Sequence, residues 1–140
     1  MKRIFSVFVT MFLFFTCCIG TSLASSELEP YASLTLSSYS AEMISTGTGT
    51  ADVDFSVNSS RVADKIGADV IRIYKLNGEC VKTVYGSVKN GLVYENDTFH
   101  NTSYEVSLPS GYYYAKVTVF ATVGSVTDSR TITTSTVRVS

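Results

Sequence analysis

The sequence predicts an all-β fold, an antiparallel sandwich of about seven strands, set behind a cleavable export signal. Three observations carry this expectation. Apolar and polar residues alternate over residues 51–58 and 113–121, the period-two pattern of strands with one buried face. Turn signals built on Gly, Pro or Asn-Gly recur at roughly the 8–12-residue spacing of small sandwich domains. The first 24 residues combine a basic start, an apolar run and small residues.

Lys2 and Arg3 open the chain, a Phe-rich apolar run extends from Ile4 to Ile19, and Ser22-Leu23-Ala24 offers small residues at cleavage-site spacing. That is the layout of a secretory signal peptide, expected over residues 1–24 and cut between Ala24 and Ser25. The run falls short of the ~20 residues a membrane span needs. Phe14-Phe15-Thr16 before Cys17 lacks the aliphatic and small residues of a lipid-attachment site. Residues 25–30 then read as a flexible polar leader, and residues 31–140 as one domain. With residues 1–24 removed, nine basic residues face twelve acidic ones, a net charge of −3. No basic stripe invites nucleic acid, and no second apolar stretch invites a membrane after cleavage. Cys17 and Cys18 leave with the signal, so Cys80 stands alone and no intrachain disulfide is expected.

Residues 33–44 form a first strand whose Ser-rich face suits a sheet edge, and Gly47 and Gly49 break it. In Ala51-Asp52-Val53-Asp54-Phe55-Ser56-Val57-Asn58 the odd-numbered residues are apolar and face a core. Residues 59–67 read as one helical turn in a crossing loop, because Val62, Ala63 and Ile66 fall at helix-like spacing behind Ser caps. Residues 70–76 and 79–85 form a hairpin around Asn77-Gly78. A three-residue loop of Leu76, Asn77 and Gly78 pairs Lys75 with Glu79, Tyr74 with Cys80 and Ile73 with Val81, which keeps like with like. Residues 96–103 read as a polar loop, and 104–108 as a strand ending at Pro109-Ser110-Gly111. In the strand that follows, Tyr113, Ala115, Val117, Val119 and Ala121 share the core face, leaving Tyr112, Tyr114 and Phe120 outward. A last strand runs over residues 130–139, rich in Thr and Val. The expected core is Val53, Phe55, Val57, Ile71, Ile73, Val106, Ala115, Val117 and Val119. This strand count and spacing are those of an immunoglobulin-like sandwich.

Residues Leu108 to Val119 of this sequence, Leu-Pro-Ser-Gly-Tyr-Tyr-Tyr-Ala-Lys-Val-Thr-Val, resemble the corner between two strands of fibronectin type III domains. There a leucine and a turn precede a tyrosine that opens an alternating strand; the resemblance implies Tyr113 or Tyr114 as that tyrosine. The chain lacks the Trp of fibronectin type III domains and the paired cysteines of antibody domains. Ser37-Ser38-Tyr39-Ser40, Lys65-Ile66-Gly67-Ala68, Ile71-Arg72-Ile73-Tyr74-Lys75 with Asn77-Gly78, and Asp128-Ser129-Arg130-Thr131 are together similar to a family of short secreted proteins of Gram-positive bacteria. That resemblance implies secretion and a sandwich fold, and it carries no active site.

Four groups of residues are candidates for function. His100, the one histidine, lies without a nucleophile elbow or a Ser/His/Asp framework around it, so no catalytic residues and no enzyme activity are expected. Asp52 with Asp54, Asp64 with Asp69, and Glu95 with Asp97 offer carboxylates, but no spacing matches a calcium loop, so no metal or cofactor is expected. Cys80 is an odd cysteine that can pair between molecules. N-x-S/T sequons occur at Asn58, Asn96 and Asn101. Outward aromatics are the strongest candidate: Tyr112, Tyr114 and Phe120 can stack on a sugar or anchor a protein. The expected function is a secreted, extracellular, non-catalytic module that binds an extracellular protein or cell-surface glycan. The alternative is a structural or matrix-forming subunit that assembles as a homo-oligomer through edge strands or Cys80.

Overall fold

The computed structural model describes residues 35–140; the signal peptide expected over residues 1–24, the cleavage expected between Ala24 and Ser25 and the expected leader lie outside the described residues. The described chain is all-β, with seven strands in antiparallel array. In chain order they are β1 (Leu36–Gly47), β2 (Thr50–Lys75), β3 (Cys80–Tyr85), β4 (Val93–Ser107), β5 (Gly111–Val123), β6 (Val126–Thr133) and β7 (Val137–Val139).

The long strand β2 organises everything else. Its first part pairs with β1 on one side and with residues 99–107 of β4 on the other. Its second part pairs with β5 on one side, and on the other with residues 93–97 of β4 and then with β3. Beyond β5 lie β6 and, at residues 111–113, β7. β1 packs on β5, β6 and β7 without pairing with any of them, so the two parts of β2 belong to facing layers in a sandwich-like arrangement.

Alternation fixes which side chains fill the space between the layers. All nine residues expected in the core are buried, Val106 being the most exposed of them at 5%. Met43, Ile66, Leu92, Tyr113 and Val139 join them. Each such side chain contributes about 1.5–3 kcal/mol through burial. Cys80 is free and exposed, so among the described residues packing carries the fold without a disulfide.

Residues 59–67 are strand, not a helical turn in a loop. Between the pairs Asn58–Phe99 and Ala63–Asp97, β2 advances five residues while β4 advances two. The extra length lets β2 bulge and bend from one layer toward the next. Beyond the bulge, Ala63 and Ile66 are buried three residues apart although pairing with β4 runs without a shift from Ala63 to Gly67, so this helix-like spacing belongs to the passage of β2 between layers. Val62 points out, at 62% exposed. Just beyond, Gly67 passes so close to β4 that a Cβ would overlap the Leu92 carbonyl oxygen, which accepts the Ala68 N–H at 2.8 Å. Only glycine fits there.

The hairpin turn is the expected three-residue loop. Lys75 N–H donates to the Glu79 carbonyl at 2.9 Å, Gly78 sits at φ +86°, and Tyr74 faces Cys80. Ile73, however, faces Lys82 rather than Val81, because a bulge inserts one residue into β3. That residue, Val81, packs against the core instead of entering the ladder.

Residues 96–103 belong to β4 rather than to a loop, so the strand expected over 104–108 begins at Val93. The strand expected over 130–139 is two strands, interrupted where Thr134 turns inward. Its N–H donates to the Ala115 carbonyl and its hydroxyl accepts the Ala115 N–H, both at 2.9 Å. Within the described residues the first strand runs from Leu36 to Gly47, three residues past the expected end at 44, and Thr48 and Gly49 turn it into β2.

Candidate functional site

Four strands, β3, β2, β5 and β6, present a broad outer face, and β5 runs through its middle. Inward positions of β5 are consumed by the core, so Tyr112, Tyr114, Lys116, Thr118 and Phe120 are left on the other side by alternation. Tyr112 is 52% exposed, and Tyr114 and Phe120 are half-buried. All three aromatics expected outward do face outward, but they do not form one patch. Phe120 stands opposite Gly67 and Ser129, six residues from Tyr114, about 20 Å along the strand.

What gathers around Tyr114 is a set of side chains from the neighbouring strand. Tyr74 of β2 is its cross-strand partner, and their rings stack with centroids 5.4 Å apart and planes 14° from parallel. The Lys116 ammonium lies 5.4 Å from the Tyr74 ring centre, within cation–π range. Arg72 is directly opposite Lys116, and Arg138 of β7 is directly opposite Tyr112. A rigid aromatic pair is therefore set among three cations. Beside it an open groove of about 280 Å³ runs between the β2–β3 turn and the 109–113 corner, bounded by Leu76, Asn77, Ser110 and Tyr112.

Tyr113 anchors this platform from beneath. It is 2% exposed, and its hydroxyl donates to the Pro109 carbonyl at 2.9 Å. That bond ties the start of β5 to the preceding turn and so fixes the direction in which Tyr112 and Tyr114 leave the strand.

Sequence reasoning missed Tyr74, Arg72, Lys116 and Arg138. A signal for Tyr74 and Arg72 was present, since an inward Ile71 and Ile73 force both residues outward. Their cross-strand neighbours become visible only once β2 is seen to pair with β5.

His100 lies in the interior at 1% exposed, not in a loop. Its ring meets Phe55 edge-on at 5.6 Å and lies 4.0 Å from the Tyr94 ring. Nε2 is 3.0 Å from the Gly91 carbonyl oxygen, which can only accept, so Nε2 carries the proton. Nδ1 is buried without a partner. Burial holds the imidazole below its ordinary pKa, against a smaller upward pull from the Gly91 bond and Asp97.

The carboxylates separate into three kinds. Asp64 accepts the Gly124 N–H at 2.7 Å and Asp97 accepts the N–H groups of Thr98 and Phe99, which fix turns and bends. Glu95 and Glu79 pair with Lys65 and Lys75 at 4.0 and 2.9 Å. The mutual hydrogen bond lowers the Glu79 carboxyl and raises the Lys75 amine from their ordinary values. Asp52 and Asp54 do neither: they project from the outer face of the β1–β2–β4 layer, each with one oxygen covered and unpartnered. A second open groove, of about 410 Å³, lies there between Ser40, Glu42, Asp54, Ser56 and Asn101. Among the described residues no three His, Cys, Asp or Glu side chains are grouped to hold a metal.

Compared with protein-family models, curated proteins and solved structures, the chain finds no match.

Proposed function

We propose that this chain is a secreted, non-catalytic binding module with an immunoglobulin-like sandwich fold. It recognises an extracellular protein or cell-surface glycan through the outer face of β3, β2, β5 and β6. The observation that carries the reading is the stacked Tyr74–Tyr114 pair, flanked by the half-exposed Tyr112 and by Lys116, Arg72 and Arg138. Large rigid aromatics bring apolar area to an interface at low side-chain entropy cost, and Tyr and Arg dominate binding hot spots.

The immunoglobulin-like assignment is supported by the strand neighbours, β1–β2–β4 in one layer and β3–β2–β5–β6 in the other. It is supported too by the Tyr113–Pro109 bond, which is placed as the corner tyrosine of such domains is placed. Export through residues 1–24 and the similarity to short secreted proteins of Gram-positive bacteria complete the reading.

The test is capture from culture supernatant and cell-wall material on immobilised protein. Tyr112→Ser with Tyr114→Ser is expected to lose the captured material. Val88→Ser with Lys89→Ala, at the exposed tip of the 86–92 loop, is expected to keep it.

A further inference from the structure

One outer face carries carboxylates alone, and the other, although it also holds Asp69, Glu79 and Glu95, gathers three cations around its aromatic pair. The strand stretches 36–47, 50–59 and 99–107 make up one layer and contain Glu42, Asp52, Asp54 and Glu105 with no Lys or Arg. All four carboxylates occupy the outward phase, opposite in alternation to the buried Met43, Val53, Phe55 and Val106. The other layer turns Arg72, Lys116 and Arg138 outward around the Tyr74–Tyr114 pair.

On both faces the like charges are directly opposed. Glu42 faces Asp54, Asp52 faces Glu105, and Arg72 faces Lys116. Such pairs destabilise an isolated sheet. Elsewhere Asp64 and Asp97 cap turns, Glu79 and Glu95 pair with lysines, and Asp128 accepts the Thr35 N–H, whereas these four have no hydrogen bond or ion pair among the described residues. A surface of opposite charge laid across each face would offset both repulsions, and the chain itself supplies that surface.

Resting on the reading that the aromatic-basic face is a binding surface, we propose that its partner is the carboxylate face of a second copy of this chain. The two faces are different, so the contact is heterologous and repeats: each copy docks its basic face on one neighbour and its carboxylate face on another. Symmetric pairing would oppose like charges and is disfavoured. The three-stranded carboxylate face, about ten residues long, offers roughly 450 Å² of plane, near half of the ~800 Å² per partner in a stable complex. Each contact is therefore weak and sensitive to salt, and chains grow only where the protein is concentrated.

Sedimentation velocity on the purified protein tests this. At low salt the average mass is expected to rise with concentration past that of a dimer, and to return to monomer as salt is added. Asp52→Asn with Asp54→Asn relieves two like-charge pairs, and separately Arg72→Ala with Lys116→Ala relieves one; both are expected to fold, as circular dichroism will show, yet remain monomeric. Mixed together, the two variants are expected to form a one-to-one complex and stop, because each retains only one working face. A wild type that is monomeric at every concentration in low salt overturns the proposal, as does a variant that still self-associates. Neither result touches the binding reading, which fails separately if the Tyr112 and Tyr114 double variant still captures its ligand.

Discussion

The Tyr113 hydroxyl reaches back four residues to the Pro109 carbonyl at 2.9 Å, while the next ring in sequence, Tyr114, faces the opposite way and stacks on Tyr74. Adjacent tyrosines thus hold the fold and form the proposed recognition face.

Tyr113→Phe removes the hydroxyl and leaves the Pro109 carbonyl without its donor. The expected loss is about 1–3 kcal/mol. Tyr114→Phe deletes a hydroxyl that makes no hydrogen bond among the described residues and is expected to fall within about 0.5 kcal/mol of wild type. Urea unfolding of both variants compares them directly, and equal losses would contradict the division of labour.

Phe55→Ala is expected to be among the most damaging single changes. The ring is 2% exposed, lies between the layers, and meets the His100 ring edge-on. Truncation costs about 3–5 kcal/mol, against a total stability on the order of 5–15 kcal/mol for a domain of this size. Thermal unfolding reads it, and a melting temperature within a degree or two of wild type would show that the cavity is tolerated.

Mild acid should weaken the fold through His100. Protonating His100 would place a second N–H at Nδ1, where nothing accepts it, and burial already holds the pKa below the ordinary 6.5. The unfolded chain takes up its proton near 6.5, whereas the folded chain does so only at lower pH. Between those points the unfolded state binds more protons, so stability is full above about 6.5 and falls as pH is lowered. Urea unfolding from about pH 8 to 5 should show this slope, and His100→Gln should flatten it.

Export should leave Ser25 as the first residue, since Ser22-Leu23-Ala24 supplies the small residues a signal peptidase requires. Mass spectrometry of the secreted protein measures it. An intact Met1, or a lipid on Cys17, would contradict it.

Much of this architecture was legible in residue order. Strict alternation in residues 51–58 and 113–121 announces which side chains enter the core, and Asn77-Gly78 announces its turn. Two segments were misread for physical reasons. Where β2 passes between layers its buried positions leave strict alternation, so Ala63 and Ile66 imitate a helical face. β4 pairs along one side only, and its outward residues 95–99 meet solvent, so the strand reads as polar loop. Its inward positions were still countable: stepping back by two from Val106 passes Tyr104 and Thr102 to reach His100. The candidate site was legible only in part. Alternation turns Tyr112 and Tyr114 outward, but the contact of Tyr74 with Tyr114 depends on pairing between strands some forty residues apart in sequence.

The most direct measurement of the central claim is nuclear magnetic resonance mapping of the labelled protein titrated with the captured supernatant or cell-wall fraction. The account predicts that shifts concentrate at Tyr74, Tyr112, Tyr114 and Lys116 and vanish in the Tyr112→Ser, Tyr114→Ser variant. Shifts confined to the 86–92 loop, with Tyr74 and Tyr114 unmoved, would contradict it.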